Sequence, residues 1–576
     1  MATRTLRITT LLSLFAATTL GAQQVSGIVR DSVSGLAVPG AVVSVYDSAG
    51  HHGVRTISNG AGRFTVDVHP GQARLRVIRI GFEPRDVRVS ASVNARAAGL
   101  EIRMLSLPAL LTRVHVAGQA ICPGNEDRSG TLALWDQARA GLLATVVARH
   151  TNPGQMTLLT FATDRDPHSD VVIRQTTRYT TGTSAQPFVA VNKAAGFAQS
   201  GYMARIPDGF NFFAPDADVL LDPTFAATHC FRIVSDVDHP GQVGLAFDPA
   251  PDARHPEGFV DVRGTLWIEN DHPALRTLDF QYSGLASPFR DAGAGGQLVF
   301  HTMPNGLTFI QRWHMHLPAF TADVAAPVPR FMPSRQSAGW PTRDADATLR
   351  LAHWHDTGGE VLSARWPDGS SADDRMGAVT GVVQDRDGRP LAGVHAQLDG
   401  TQAEASTDSS GRFTLWPVVP GRYGLDVVDS AYAPFIDPRE SSRTIQVGRD
   451  TLAVAPFEAP SRRTALSRAC LDQAPSQPAS VVVLGRVTGP RALLGDGALI
   501  RARFPRGAAS ATSAASGYSK DVRPGDDGRF VICALAPGTT LVLNLVRRDS
   551  VLADTSFTVG APPAQVVEWR PGTGKE

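Results

Sequence analysis

The sequence predicts a mainly β protein in which three small Greek-key β-sandwich domains flank a central α+β domain, built as an antiparallel meander or half-barrel. Three observations carry that prediction. A signature of Gly-Arg-Phe, alternating apolar and polar residues and a Pro-Gly pair recurs in "GAGRFTVDVHPGQARLRV" from Gly60, "SSGRFTLWPVVPGRYGLDV" from Ser409 and "DDGRFVICALAPGTTLVL" from Asp526. Val, Thr, Phe, Gly and Pro return at short intervals, whereas long runs with a 3.6-residue period are scarce. The 576 residues also exceed one hydrophobic core, since a domain holds about 100–200 residues. With 55 Lys and Arg interspersed among 54 Asp and Glu, the chain has no electrostatic footprint for nucleic acid or an anionic membrane.

Residues 1–22 carry Arg4 and Arg7, an apolar run from Ile8 to Leu20 and the small residues Gly21 and Ala22, the pattern of a secretory signal peptide cleaved near Ala22. The run is short for a span, and no later segment reaches about 18 uninterrupted apolar residues, so no transmembrane segment is expected in the mature chain. A retained anchor is the alternative. No Cys follows the run to take a lipid.

Residues 23–107, 375–457 and 480–570 are the three sandwich segments. They open with "VSGIVRDSVSGLAVPGAVVSVYDSAG", "VTGVVQDRDGRPLAGVHAQLDG" and "VVLGRVTGPRALLGDGALIRARF", each a strand, turn, strand pattern. Gly62, Gly411 and Gly528 fit a hairpin position that needs positive φ, after which Phe64, Phe413 and Phe530 begin core-facing strands. Pro70-Gly71, Pro420-Gly421 and Pro537-Gly538 suit type II turns. A unit of roughly 80 residues with about seven short strands is a small Greek-key sandwich.

These residues carry a resemblance. "VTGVVQDRDGRPLAGVHAQLDG" with "STDSSGRFTLWPVVPGRYGLDV" resembles the carboxypeptidase regulatory-like domain, a transthyretin-like, prealbumin-like sandwich. The first copy is similar, with "SNGAGRF" where that family has Thr-Asp; the third departs further, lacking the Pro-Leu-x-Gly turn and carrying Cys533. Residues 108–118 form a connector, and "LEIRMLSLPALLTRVHVAG" resembles the one that follows such domains in exported bacterial proteins, including TonB-dependent receptors. The remaining length holds too few alternating segments for a transmembrane barrel.

The central domain, residues 119–374, begins with the best helix of the chain, "SGTLALWDQARAGLLATVVAR". There Leu134, Ala138, Leu142 and Val146 share a face and Ser129 can cap the start. A shorter helix is expected in "APDADVLLDPTFAATHCFRI", and long strands fill the rest. "FVDVRGTLWIENDHPALRTLDFQY" looks like a strand pair of the periplasmic lipoprotein-carrier half-barrel. In such a half-barrel Leu266, Ile268, Leu278, Phe280, Leu298, Phe300, Phe309 and Trp313 would line an apolar concavity for an acyl chain, although the same alternation serves a closed core. Residues 458–479, rich in Ser, Pro and Ala, read as a linker.

Four cysteines, Cys122, Cys230, Cys470 and Cys533, are an even number in an exported chain and allow three pairings. Local pairing, Cys122 with Cys230 and Cys470 with Cys533, is the simplest. No His-x-x-Glu, His-Glu-x-x-His, Gly-x-Ser-x-Gly or phosphate-loop motif occurs. The histidine-rich stretches are "RWHMHLP", with His314 and His316, and "RLAHWHD", with His353 and His355. On neighbouring strands these two pairs can converge on a metal, but no carboxylate stands at fixed spacing, and the bland reading is a solvent-facing sheet. Trp416 and Tyr423 are candidates for stacking on a sugar, against the bland reading of inter-sheet packing.

The expected protein is therefore exported, to the periplasm, the cell surface or the medium. It is expected to be non-catalytic, without metal or cofactor, and to act as a binding or scaffold protein of the bacterial envelope with protein or carbohydrate partners. The alternatives are a periplasmic carrier of a lipid or other apolar ligand and a secreted metal-dependent hydrolase.

Overall fold

The computed structural model describes residues 23–47, 49–68, 72–89, 99–107, 122, 130–183, 187–206, 209–251, 258–285, 287, 289–322, 349–385, 388–430, 432–459, 462–470, 480–488, 497–503, 519–561 and 563–571. The expected signal peptide, the connector, Ser129 and Pro70-Gly71 lie outside them. The chain divides into two compact units, residues 1–168 with 176–374 and residues 169–175 with 375–576.

In the first unit, period-two alternation makes a two-sheet sandwich from β1 (Gln23–Asp31), β2 (Val42–Asp47), β3 (His52–Ile57), β4 (Arg63–Val68), β5 (Gln72–Ile78), β6 (Arg85–Arg88) and β7 (Leu100–Met104). Strand β4 shows why: Phe64, Val66 and Val68 are buried while Arg63, Thr65 and Asp67 face water. One sheet has the order β4-β1-β7, with β1 and β7 parallel, and the other β3-β2-β5-β6. Their inner faces close on Val29, Val43, Leu75 and Ile102.

The central domain follows. Helix α1 (Gly130–Thr151) is succeeded by β8 (Gln155–Arg165), β9 (Val172–Gly182), α2 (Ala194–Ser200), the hairpin β10 (Met203–Ile206) and β11 (Gly209–Phe212), α3 (Ala217–Leu221) and α4 (Pro223–Thr228). Then come β12 (His229–Val234), β13 (Gln242–Pro249), β14 (Asp261–Glu269), β15 (Leu275–Ser283), β16 (Gly295–Thr302), β17 (Thr308–Ala322), β18 (Leu349–Arg365) and β19 (Ser371–Asp373). The strands form one 10-stranded sheet in the order β12-β13-β14-β15-β16-β17-β18-β8-β9, with β19 on β18. The short helix expected near residue 220 is two, because Pro223 cannot continue α3 and instead starts α4, each capped by an aspartate, Asp216 and Asp222.

Helix α1 is covered on both sides. Leu134, Ala138 and Leu142 join the core under the sheet, with Leu245, Leu266 and Leu278. Ala144 and Val147 on its other side pack with Val42 of the first sandwich. Gln137, buried between them, accepts from the Gly81 amide at 2.6 Å and donates to the Phe82 carbonyl at 3.2 Å. Among the described residues, the inner face of the sheet is thus roofed by helix, while Arg232, Arg263, Gln281 and Gln297 on its outer face are exposed.

The second unit holds two more sandwiches. The first contains β20 (Gly377–Gln384), β21 (His395–Leu398), β22 (Glu404–Ser406), β23 (Arg412–Val418), β24 (Gly421–Val428), β25 (Ser442–Val447), β26 (Leu452–Val454) and β27 (Phe457–Glu458). The second contains β28 (Val481–Val487), β29 (Ala498–Arg503), β30 (Ser519–Val522), β31 (Arg529–Leu535), β32 (Thr540–Arg547), β33 (Ser550–Thr558) and β34 (Ala564–Trp569). Their sheets, β23-β20-β26 with β22-β21-β24-β25 and β31-β28-β34 with β30-β29-β32-β33, repeat the first sandwich's order strand for strand. The stretch read as a linker contains helix α5 (Arg462–Ala469), whose Ala465 and Leu466 are buried beside Val482 and Leu484.

The repeated signature has a physical reason in every copy. Gly27, Gly381 and Gly485 stand directly across the ladder from Phe64, Phe413 and Phe530. Each ring lies over its glycine so closely that a Cβ would come within 2.7, 2.5 and 2.0 Å of it. The turn glycines Gly62, Gly411 and Gly528 have φ of 71°, 71° and 77°, as expected, but they carry the chain from one sheet to the other rather than closing a hairpin. Asn59 and Asp408 serve that turn alike, each side chain accepting from the amide four residues on. Gly538 has the positive φ of a type II turn; Gly421 does not, because it already belongs to β24, paired with Val447.

Candidate functional site

On β17, His314 and His316 point to the outer face of the central sheet, as the two-residue period requires. Register decides what meets them. His316 stands opposite Asp356 of β18, and Trp354 opposite Arg165 of β8, so all four share that face. His316 Nδ1 lies 2.6 Å from Asp356 Oδ1, and His314 Nε2 lies 3.9 Å from the same oxygen. The other carboxylate oxygen forms an ion pair with Arg165, 2.7 Å from its Nε, and the Trp354 ring stacks on His316 with centroids 4.0 Å apart. Asp356 is buried. Burial raises its carboxyl, but the His316 hydrogen bond and the Arg165 charge more than offset this and hold it below the usual range. Burial also pulls the His314 imidazole below its ordinary value, against the attraction of Asp356.

The second pair repeats the arrangement on the opposite face. His355 of β18 stands across from Asp164 of β8, its Nδ1 2.7 Å from Asp164 Oδ1, and His353 Nε2 lies 3.6 Å from that same atom. In each cluster the donor atoms lie within 4.8 Å of one another. The expectation that the two pairs converge is therefore corrected: His316 pairs with Asp356, not with His355, and a one-residue offset in register sends the pairs to opposite faces. The carboxylates absent from the sequence reading are Asp356 and Asp164. Asp356 follows His355 directly, so alternation alone excludes it from that residue's cluster and offers it to the other face. Asp164 arrives from 191 residues away with no local signal.

The outer face also holds an open groove of about 550 Å³, lined by Arg232, Asp248, Arg263, Asp279, Gln281 and Gln297 together with His314 and His316. Its polar groups are matched across strands: Arg232 with Asp248 at 3.4 Å, and Gln297 donating to Asp279 at 2.7 Å. The residues expected to line an acyl site are placed otherwise. Leu266, Ile268, Leu278, Phe280, Leu298 and Phe300 are buried in the core against α1, and Trp313 packs on that core's edge. Phe309 belongs to a separate cluster with Trp366, where it borders an apolar cavity of about 70 Å³. That is far below the roughly 300 Å³ at which small-molecule pockets begin.

Trp416 and Tyr423 do not form a common surface. Trp416 projects into solvent, 70 % exposed, while Tyr423 is wholly buried and donates its hydroxyl to the Val419 carbonyl at 2.7 Å. Tyr423 thus has no face to offer a sugar. Near it, burial and then the hydrogen bond and repulsion of Asp426 raise the Asp399 carboxyl to about 6. Both locally expected disulfides are formed, Cys122 with Cys230 and Cys470 with Cys533, the latter fixing the end of α5 to β31. Among the described residues, no helix is long and apolar enough to cross a membrane.

Comparison with protein families decides what two of the sandwiches are like. Residues 24–104 and 378–453 match the carboxypeptidase regulatory-like domain. The two regulatory-like domains share their strand order with residues 481–569, which extends the repeat by topology to a third copy. No curated protein sequence matches the chain. Among solved structures, a streptococcal ancillary pilin aligns at 14 % identity over 49 % of this chain and 82 % of its own, with a TM-score of 0.16. A minor pilin of Streptococcus agalactiae aligns at 15 % over 34 % and 97 %, with a TM-score of 0.14. The shaft pilin SpaA of Lactobacillus rhamnosus GG aligns at 11 % over 35 % and 98 %, also at 0.14.

Proposed function

We propose that the chain is an exported, non-catalytic scaffold that binds a protein or glycan partner in the bacterial envelope or outside the cell. The observation that carries this reading is the solvent-facing outer side of the central sheet. Among the described residues, helix α1 and the first regulatory-like domain pack on the inner side, and the outer side holds a groove of about 550 Å³ open for recognition. Its polar groups, matched across strands, favour a polar partner over an acyl chain. The two disulfides fit an oxidising compartment. The burial of Leu266, Ile268, Leu278, Phe280, Leu298 and Phe300 in the core against α1 speaks against the lipid-carrier alternative.

The test is a screen of the full chain against a glycan array and an array of bacterial surface proteins, repeated with Arg232→Glu plus Arg263→Glu. The reading expects a saturable partner whose binding falls at least tenfold in the double variant. Binding that the variant leaves unchanged removes the outer face as the recognition surface. Turnover of the captured partner contradicts the non-catalytic part.

A further inference from the structure

We propose that each of the two His-x-His/Asp clusters, His314–His316–Asp356 and His353–His355–Asp164, binds one divalent transition-metal ion of the zinc type. Repetition is the first ground. The same three side chains stand in the same ladder relation on two neighbouring strand pairs, with the carboxylate directly opposite the second histidine each time. Long paired strands hold such groups more firmly than loops do.

Distance supplies the second ground. Nδ1 of the second histidine makes an ordinary hydrogen bond to the carboxylate, at 2.6 and 2.7 Å. Nε2 of the first histidine, at 3.9 and 3.6 Å from the same oxygen, is beyond hydrogen-bond reach. That spacing is close to the ~3.4 Å between neighbouring ligands of a tetrahedral ion with bonds of ~2.1 Å. The first histidines are thus placed as an ion needs them. Binding requires only that the short hydrogen bond open by under about 1 Å.

The surroundings supply the third. Asp356 gives Arg165 one oxygen and keeps the other toward the imidazoles, the division expected of a one-oxygen ligand steadied by a second partner. Trp354 stacks on the His316 ring and fixes its orientation. Two imidazoles and a carboxylate suit zinc, with the remaining position open to water or to a ligand group. For the His314 cluster that position faces the groove.

The experiment uses the full chain, stripped with chelator, loaded with Zn²⁺ and desalted before elemental analysis and calorimetry. Two ions per chain are expected. His314→Gln and His353→Gln each lower the count by one, and together they abolish it. Both side chains are partly exposed and make no hydrogen bond to the carboxylate, so circular dichroism of the stripped variants should match the parent. Without any variant, Zn²⁺ should shield His314 and His353 from diethyl pyrocarbonate, read by peptide mass spectrometry. A parent chain that retains no zinc overturns the proposal, and a variant that keeps the parent's stoichiometry, or a histidine equally modified with Zn²⁺, overturns it for that cluster.

Discussion

Replacing Gly381 by alanine tests the reason given for the repeated signature. The added Cβ would lie 2.3 Å from the Ala455 carbonyl oxygen and 2.5 Å from the Phe413 ring. The ring can tilt. The carbonyl cannot, because Ala455 is itself hydrogen-bonded to the Thr380 carbonyl through its amide at 2.8 Å. Overpacking of this kind costs about 1–3 kcal/mol, and the fixed carbonyl puts Gly381→Ala toward the upper end. Hydrogen exchange followed by mass spectrometry reads this sandwich separately from the others in the full chain. Its core peptides, such as that spanning β23, should lose about 30-fold or more in protection, while peptides of β4 and β31 keep theirs. Pairing Gly381→Ala with Phe413→Leu should not restore it, since the carbonyl contact remains. Unchanged protection in the single variant would refute the reasoning that ring and carbonyl together select glycine here.

Three further outcomes follow from the same structure. Removing Cys470 with Cys533 opens a 63-residue loop and should cost the third sandwich about 4 kcal/mol in the chain-entropy model, read as loss of exchange protection in β31 and α5. Leu142→Ala, at a fully buried position of α1, should cost about 2–5 kcal/mol and lower the melting temperature of the first unit. Asp399 titrates near 6 in the fold against 3.8 for the ordinary group, so its contribution is present below 3.8 and is lost as pH rises through about 6. Asp399→Asn should therefore flatten the fall in stability of that sandwich across this window, measured by melting at a series of pH values.

The sandwiches were legible in the sequence because each strand alternates and each turn needs a residue type that little else explains. Phe64, Val66 and Val68 face inward as period two dictates, and Gly62 has the positive φ its place requires. The helix of the central domain announced itself through Leu134, Ala138 and Leu142, and the cysteines paired locally. Register between distant strands was not legible. Nothing near His314 in sequence reveals that Asp356 stands across from its neighbour, or that Asp164 closes the His353 pair. Burial was legible only in part: Tyr423 and Trp416 look alike as aromatic residues of strands consecutive in sequence, and one is core while the other is surface.

Native mass spectrometry of the chain purified from an oxidising compartment tests the central claim, a filled core beneath an outward-facing recognition surface. The packed Leu266, Leu278 and Phe280 predict that the chain with its two disulfides carries no acyl lipid, whatever metal it holds. A lipid that dissociates from the chain on activation would contradict that packing and make the central domain a carrier.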